Sequence, residues 1–461
     1  MMRGTILLHA FGPRYDLPLS LALYLFSAAA VVVVSFVLVA IFAGERLGER
    51  AVRYPRWELR ALRGLPAVAW LRAICGAFGV LYLLGVMITG WFGSRTPTSN
   101  PAEYMTWILF WAALVLLTGL IGPIWDAINP FRALDGLVRW LRRDAPPDPT
   151  APDPLSRVGV WPAVVLYFAF VCLELTSGYA NRPWLVAWLA LGYTVFTLVG
   201  MQRFGAASWL EHFEFFTVLF SILRRFAPIQ VQRERVYLRP WGVGLLDPYP
   251  PGWDRVVIVI LMLSSLAFDG LIATPFWQDI TVDLEPLWQP LGQWGFFAVR
   301  TFGFIDLTLI FLLVFNVFMR GVMYLGTVRV DATATITAFA LTLVPIAFVY
   351  NAAHNWSYLF VQSQGIIPLL SDPLGKGWHL LPTAGYKPSF ALAQARTVWY
   401  AQVVLIVLGH IDAVYLAHLR AGERFKTASN ALLSQYPMLL LMVGYTMTSL
   451  WILAQPITAG G

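Results

Sequence analysis

Cysteine is almost absent from this chain of 461 residues: Cys75 and Cys172 are the whole supply, and both lie inside apolar runs. That excludes a disulfide framework, a redox cysteine pair and a thiolate metal site. Charge is scarce too, since Asp, Glu, Lys and Arg make up only 12% of the residues, against roughly a quarter in a soluble globular domain. No stretch therefore reads as a separate soluble domain. Also missing are a glycine-rich nucleotide loop, a Ser-His-Asp order and the two-histidine spacing of a zinc-protease helix, so His212 in "EHFE" reads as a surface residue. No internal repeat of the inverted-transporter kind is visible.

What the chain does contain is apolar, with 58% hydrophobic residues and a mean hydropathy of +0.66. A membrane span needs about 20 mostly apolar residues. Ten segments qualify, at roughly 19 to 42, 73 to 93, 104 to 125, 158 to 176, 184 to 200, 255 to 275, 297 to 319, 332 to 354, 397 to 419 and 434 to 455. The expected fold is all-α: one polytopic integral membrane domain over 1–461, with about ten transmembrane helices.

The formal net charge of +7 does not point to nucleic acid, because the basic residues crowd into alternate loops. Arg46, Arg50, Arg53, Arg56, Arg60 and Arg63 follow the first span, Arg132, Arg139, Arg142 and Arg143 the third, and Arg224, Arg225, Arg233, Arg235 and Arg239 the fifth. The opposite loops are sparse in Lys and Arg; 277 to 296 has none and carries Asp279, Asp283 and Glu285. Lys and Arg accumulate on the cytoplasmic side, so both termini are expected outside, in a cell inner membrane crossed many times. On the inner side, 129–143 and 209–226 mix apolar and basic residues at helical spacing and read as interfacial amphipathic helices. The run "APPDPTAPDP" between them reads as a Pro-rich linker.

Ionisable groups inside spans are costly and mark functional sites by default. Asp269, Arg300 and His354 fall in the outer third of their spans, and Asp306, His410 and Asp412 nearer the middle. His410 and His418 are eight residues apart, about 12 Å along a helix, so they cannot share one ion. A metal site must draw on several helices. The set expected is His354, His410, Asp269 and Asp306, whose imidazole and carboxylate donors suit a divalent ion. His354, His410 and Asp306 are then the expected catalytic groups.

The stretch "YNAAHNWSYLFVQSQ" sharpens this. Asn351, His354, Asn355, Tyr358 and Gln362 recur at i, i+3, i+4, i+7 and i+11, one face of a helix. Such a stripe facing lipid leaves polar groups unpaired, so it is expected to line an outward-opening pocket, with Arg300 also lining it. The alternative is a hydrogen-bonded helix–helix seam.

The stretches "HAFGPRYDLPLSLALYL", "INPFR", "AFDG", "AHNWSYLFVQSQGIIPLLSDPLGKGW" and "GHIDAVYLAH" run over nearly the whole chain. In them the chain resembles the membrane-bound fenitrothion hydrolase family, a two-component organophosphate hydrolase. The resemblance implies cleavage of a phosphotriester to a nitrophenol and a dialkyl phosphate, with a second membrane subunit as partner and a small apolar ester as substrate. Joined to the metal set above, it suggests an ion-activated water as nucleophile. Two other classes stay open: a non-catalytic membrane subunit or permease, and a b-type cytochrome with His354 and His410 as axial ligands.

Overall fold

The computed structural model describes residues 20–43, 54–60, 66–143, 152–232, 235–327, 331–391, 394–425 and 427–455. The tail before the first span, the end of the chain and residues 144–151 of the Pro-rich linker lie outside them. The described chain is helical apart from one small sheet. Among the described residues, eight helices are long and apolar enough to cross a membrane. The segment expected at 158 to 176 is a shorter apolar helix, Trp161–Thr176, and that at 255 to 275 stops at Leu271 and bends by 84° into Pro275–Asp283. Where the sequence suggests one domain, the contacts divide the chain into two compact units.

The first unit comprises Met1–Tyr54, Trp241–Tyr358 and Phe390–Gly461. Its helices are α1 (Leu21–Ala43), α2 (Trp253–Leu271), α3 (Pro275–Asp283), α4 (Gln293–Leu325), α5 (Ala332–His354), α6 (Ala395–Arg424) and α7 (Ala428–Ala454). α5 is the centre, with 83% of its apolar window buried against 22% for α4. Its sequence explains why. Asp331 caps it by accepting from the Ala334 N–H, and Thr335, Thr337, Ala338, Ala340, Ala347, Ala352 and Ala353 keep its surface small and buried, which lets neighbouring helices approach closely. α6 uses the same device: a Cβ at Gly409 would stand 2.2 Å from Val349 Cγ2 on α5.

The second unit comprises Pro55–Pro240 and Leu359–Ser389. It contains α8 (Pro66–Phe92), α9 (Pro101–Leu120), α10 (Pro130–Arg142), α11 (Trp161–Thr176), α12 (Pro183–Phe204), α13 (Ala206–His212) and α14 (Phe215–Phe226). A three-stranded antiparallel sheet, with β1 (Trp57–Glu58) and β2 (Ile229–Gln232) flanking β3 (Arg235–Leu238), completes it. The amphipathic helix expected at 129–143 is α10, capped by Asn129, which accepts from the Phe131 and Arg132 N–H groups.

The one expected at 209–226 differs. It breaks at Phe213 and Glu214 into α13 and α14, and Phe215, Phe216, Val218, Leu219, Phe220, Ile222, Leu223 and Phe226 are all buried. α14 is therefore a core helix, not an interfacial one. The reason is Glu214, fully buried, which caps α14 from the Phe216 and Thr217 N–H groups. It also accepts from Tyr193 Oη at 2.7 Å and from Thr217 Oγ1. Thr217 Oγ1 in turn accepts from Trp125 Nε1 at 3.0 Å and Asn129 Nδ2 at 3.2 Å. Burial raises the Glu214 pKa, and these donors only partly offset it.

His212 is likewise buried rather than on the surface. Its Nδ1 stands 2.7 Å from Gly159 O and its Nε2 2.7 Å from Asp153 Oδ2. Burial works against ionisation of Asp153, yet hydrogen bonds from Ser208, the Leu155 N–H and His212 outweigh it and hold this carboxyl below its ordinary value.

Two tests follow from this unit. Thr217→Val strips partners from Glu214, Trp125 and Asn129 at once, and should cost about 3 kcal/mol in unfolding followed by tryptophan fluorescence in detergent. Asp153 ionises more readily folded than unfolded, so it adds stability above its unfolded-state pKa that is lost as pH falls through the lower folded-state value. A melting-temperature profile against pH should show an acid fall that is reduced in Asp153→Asn.

Candidate functional site

α2 and α5 end side by side in the first unit, α5 on His354 and α2 two residues past Asp269. His354 Nε2 lies 2.9 Å from Asp269 Oδ2, with the two side chains 13% and 15% exposed. The Asp269 carboxylate accepts, so Nε2 carries the proton and Nδ1 keeps its lone pair. Nδ1 has no partner among the described residues. One turn back on α5, the Tyr350 ring lies parallel to the imidazole, 5.9 Å between centroids at 9°.

Gly270 makes this packing possible. A Cβ there would stand 2.7 Å from Tyr350 Oη and 2.6 Å from Ile452 Cγ2. Tyr350 is 3% exposed, and its hydroxyl has no partner among the described residues. It faces a small cleft lined by Leu263, Phe311, Ile346, Tyr445, Thr448 and Ser449. Tyr445 stacks on Phe311 at 5.0 Å, and its hydroxyl is also buried without a partner among the described residues. The cleft thus has two tyrosines in an otherwise largely apolar wall; His354 and Asp269 do not line it, and Tyr350 links it to the pair by stacking on the imidazole.

The remaining expected site residues are dispersed. Asp306 is exposed on α4, on the same face as Phe302, Leu309 and Leu313. His410 is wholly buried on α6, with Nδ1 2.7 Å from Ile406 O and Nε2 without a partner among the described residues. Arg300 packs over the Phe296 ring, 4.4 Å to the centroid. No three His, Cys, Asp or Glu side chains among the described residues are grouped as metal ligands would be. The set His354, His410, Asp269 and Asp306 is thus reduced to its His354–Asp269 pair, and these residues do not fit a divalent ion. The haem reading loses its geometry as well, since Asp269 already takes Nε2 of His354.

The polar stripe is interrupted. α5 stops at His354, where Asn355 takes φ −87° and ψ 13°, and the chain starts a new short helix, Trp356–Phe360. Asn351 and Asn355 are buried and bonded to each other, Nδ2 of Asn355 donating to Asn351 Oδ1 at 3.1 Å. The bond runs along their own helix end and not across to another helix, and Asn351 Nδ2 has no partner among the described residues. Tyr358 is half-buried beyond the break, and Gln362 lies in the second unit. Tyr445, Thr448 and Ser449 escaped the sequence reading, although their i, i+3, i+4 spacing marks a polar strip on an apolar helix.

No family model, no curated protein and no solved structure matches this chain.

The crowding at Gly270 is directly testable. Gly270→Ala should destabilise the first unit by about 1–3 kcal/mol through overpacking against Tyr350 and Ile452. Tyr350→Phe in the same chain should recover part of that loss in thermal unfolding, because it removes the hydroxyl that the new methyl meets.

Proposed function

We propose that the protein is a hydrolase of the cell inner membrane that cleaves apolar organophosphate triesters, with His354 as general base and Asp269 as its orienting partner. The observation that carries this reading is the 2.9 Å bond between His354 Nε2 and Asp269, which leaves Nδ1 as the nitrogen without a partner among the described residues, on a side chain 13% exposed. A carboxylate behind an imidazole fixes its tautomer and stabilises the imidazolium that forms when it takes a proton. A water at Nδ1 then attacks phosphorus in line as His354 accepts its proton. A nitrophenolate leaves as a stable anion and needs no general acid.

The resemblance supplies the substrate class, and the site supplies a rationale for it. Neutral triesters partition into lipid, and the cleft beside His354 has an apolar wall. No step is assigned to a metal ion, because the residues expected to hold one are not grouped. A second membrane subunit, which the resemblance implies, is not required for the step assigned to this pair.

Membranes carrying this chain alone should release nitrophenol from a dialkyl nitrophenyl phosphate. His354→Ala should lower kcat by about 10²- to 10⁴-fold, the usual worth of a general base, with Asp269→Asn lowering it less. Equal rates in wild type and both variants at matched expression would reject the role.

A second reading is favoured by Asp306. This acid lies six residues inside Arg300 on α4, on an exposed face otherwise made of Phe302, Leu309 and Leu313. An acid on a lipid-facing stripe is costly, which supports a non-catalytic subunit whose partner helix covers it. Nitrophenol release by the chain alone decides between the two.

A further inference from the structure

Glu103 belongs to the second unit, and its chemistry is independent of the proposed hydrolytic pair. It is 8% exposed at the start of α9, and its Oε1 has no hydrogen-bond partner among the described residues. The polar group facing it is the indole of Trp107, whose single N–H already donates to Ala180 O at 3.2 Å. The titratable side chains on the packed elements are Arg72, Cys75 and Tyr82 of α8, Arg182, Tyr193 and Arg203 at and along α12, and Tyr104 on its own helix. None forms a hydrogen bond or ion pair with Glu103: Tyr82 donates to Met105 O and Tyr104 to Thr98 O, while Arg182 stacks on Tyr179. Thr106, three residues on, also leaves Oγ1 buried without a partner among the described residues.

The backbone is unusual at the same place. Directly after Glu103 the helix opens into ten residues of π-helix, Tyr104–Ala113. Such turns are rare and are frequently found at functional sites. A buried carboxylate whose one donor is an indole N–H shared with a carbonyl, and which has no cation bonded to it, is disfavoured, and a carboxyl so placed takes up a proton instead of remaining charged.

We propose that Glu103 is a proton-binding site, its carboxyl held as the neutral acid and discharged only when water reaches it. On discharge the O–H bond breaks, the electron pair stays on the carboxylate and the proton passes to water.

The test uses the full chain in detergent micelles and a hydrophobic carbodiimide, which reacts with protonated carboxyls in apolar surroundings. Peptide mapping should find the adduct on Glu103, formed several-fold faster in mildly acid than in alkaline buffer, and lost in Glu103→Gln. Because glutamine has the shape of the neutral acid, E103Q should keep the wild-type melting temperature at neutral pH. Infrared spectroscopy is the second arm and does not depend on reagent access. The wild-type minus E103Q difference spectrum at neutral pH should contain a carboxylic-acid carbonyl band. A carboxylate band in its place would overturn the proposal. Should E103Q not fold, infrared titration of the wild type decides, since the proposal requires a carboxylic band at neutral pH that disappears on alkalinisation.

Discussion

In hydrocarbon no water is present to take up a stray donor or acceptor, so each polar group must find its partner inside the chain. The same constraint bears on any buried apolar core, and among the described residues eight helices are long and apolar enough to cross a membrane. It favours helices for apolar stretches and limits where the few ionisable side chains can stand. The His354–Asp269 pair and the Glu214 network are two answers to the same demand, one half-open and the other closed.

The closed answer lies among aromatic rings. Phe110, Trp125, Tyr193, Phe215 and Phe216 meet edge to face around the Glu214 cap. Tyrosine and tryptophan suit this role because each ring carries one polar tip, and both tips are used: Tyr193 on Glu214 and Trp125 on Thr217. A fully satisfied network of this kind specifies one arrangement of its helices. It is a structural device, which is why Glu214, buried and well bonded, is a weaker functional candidate than Glu103, whose bonding is incomplete.

The open answer rests on close packing. α5 buries small Thr and Ala positions among its larger apolar side chains, and Gly270 and Gly409 remove the Cβ atoms that would hold α2 and α6 away. Tyr350 and His354 are thereby pressed against the end of α2, where Asp269 waits. A catalytic imidazole needs just this: one nitrogen fixed by a rigid neighbour and the other left to work.

Long apolar runs and the alternation of basic loops were legible from residue order, because each depends on local composition and spacing. So was the place of His354, an imidazole at the end of an apolar run. Its partner was in the expected set too, but as one of three, with nothing in the sequence to separate Asp269 from Asp306 or His410. Helical spacing gives the face a residue occupies and not which neighbour that face meets. Asp306 therefore turned out to stand on an exposed face, and His410 against its own helix backbone. The break at Asn355, the burial of α14 and the isolation of Glu103 were likewise invisible in the chain. They arise from contacts between segments far apart in sequence, and those contacts are what hydrogen bonding and packing select only once the helices have come together.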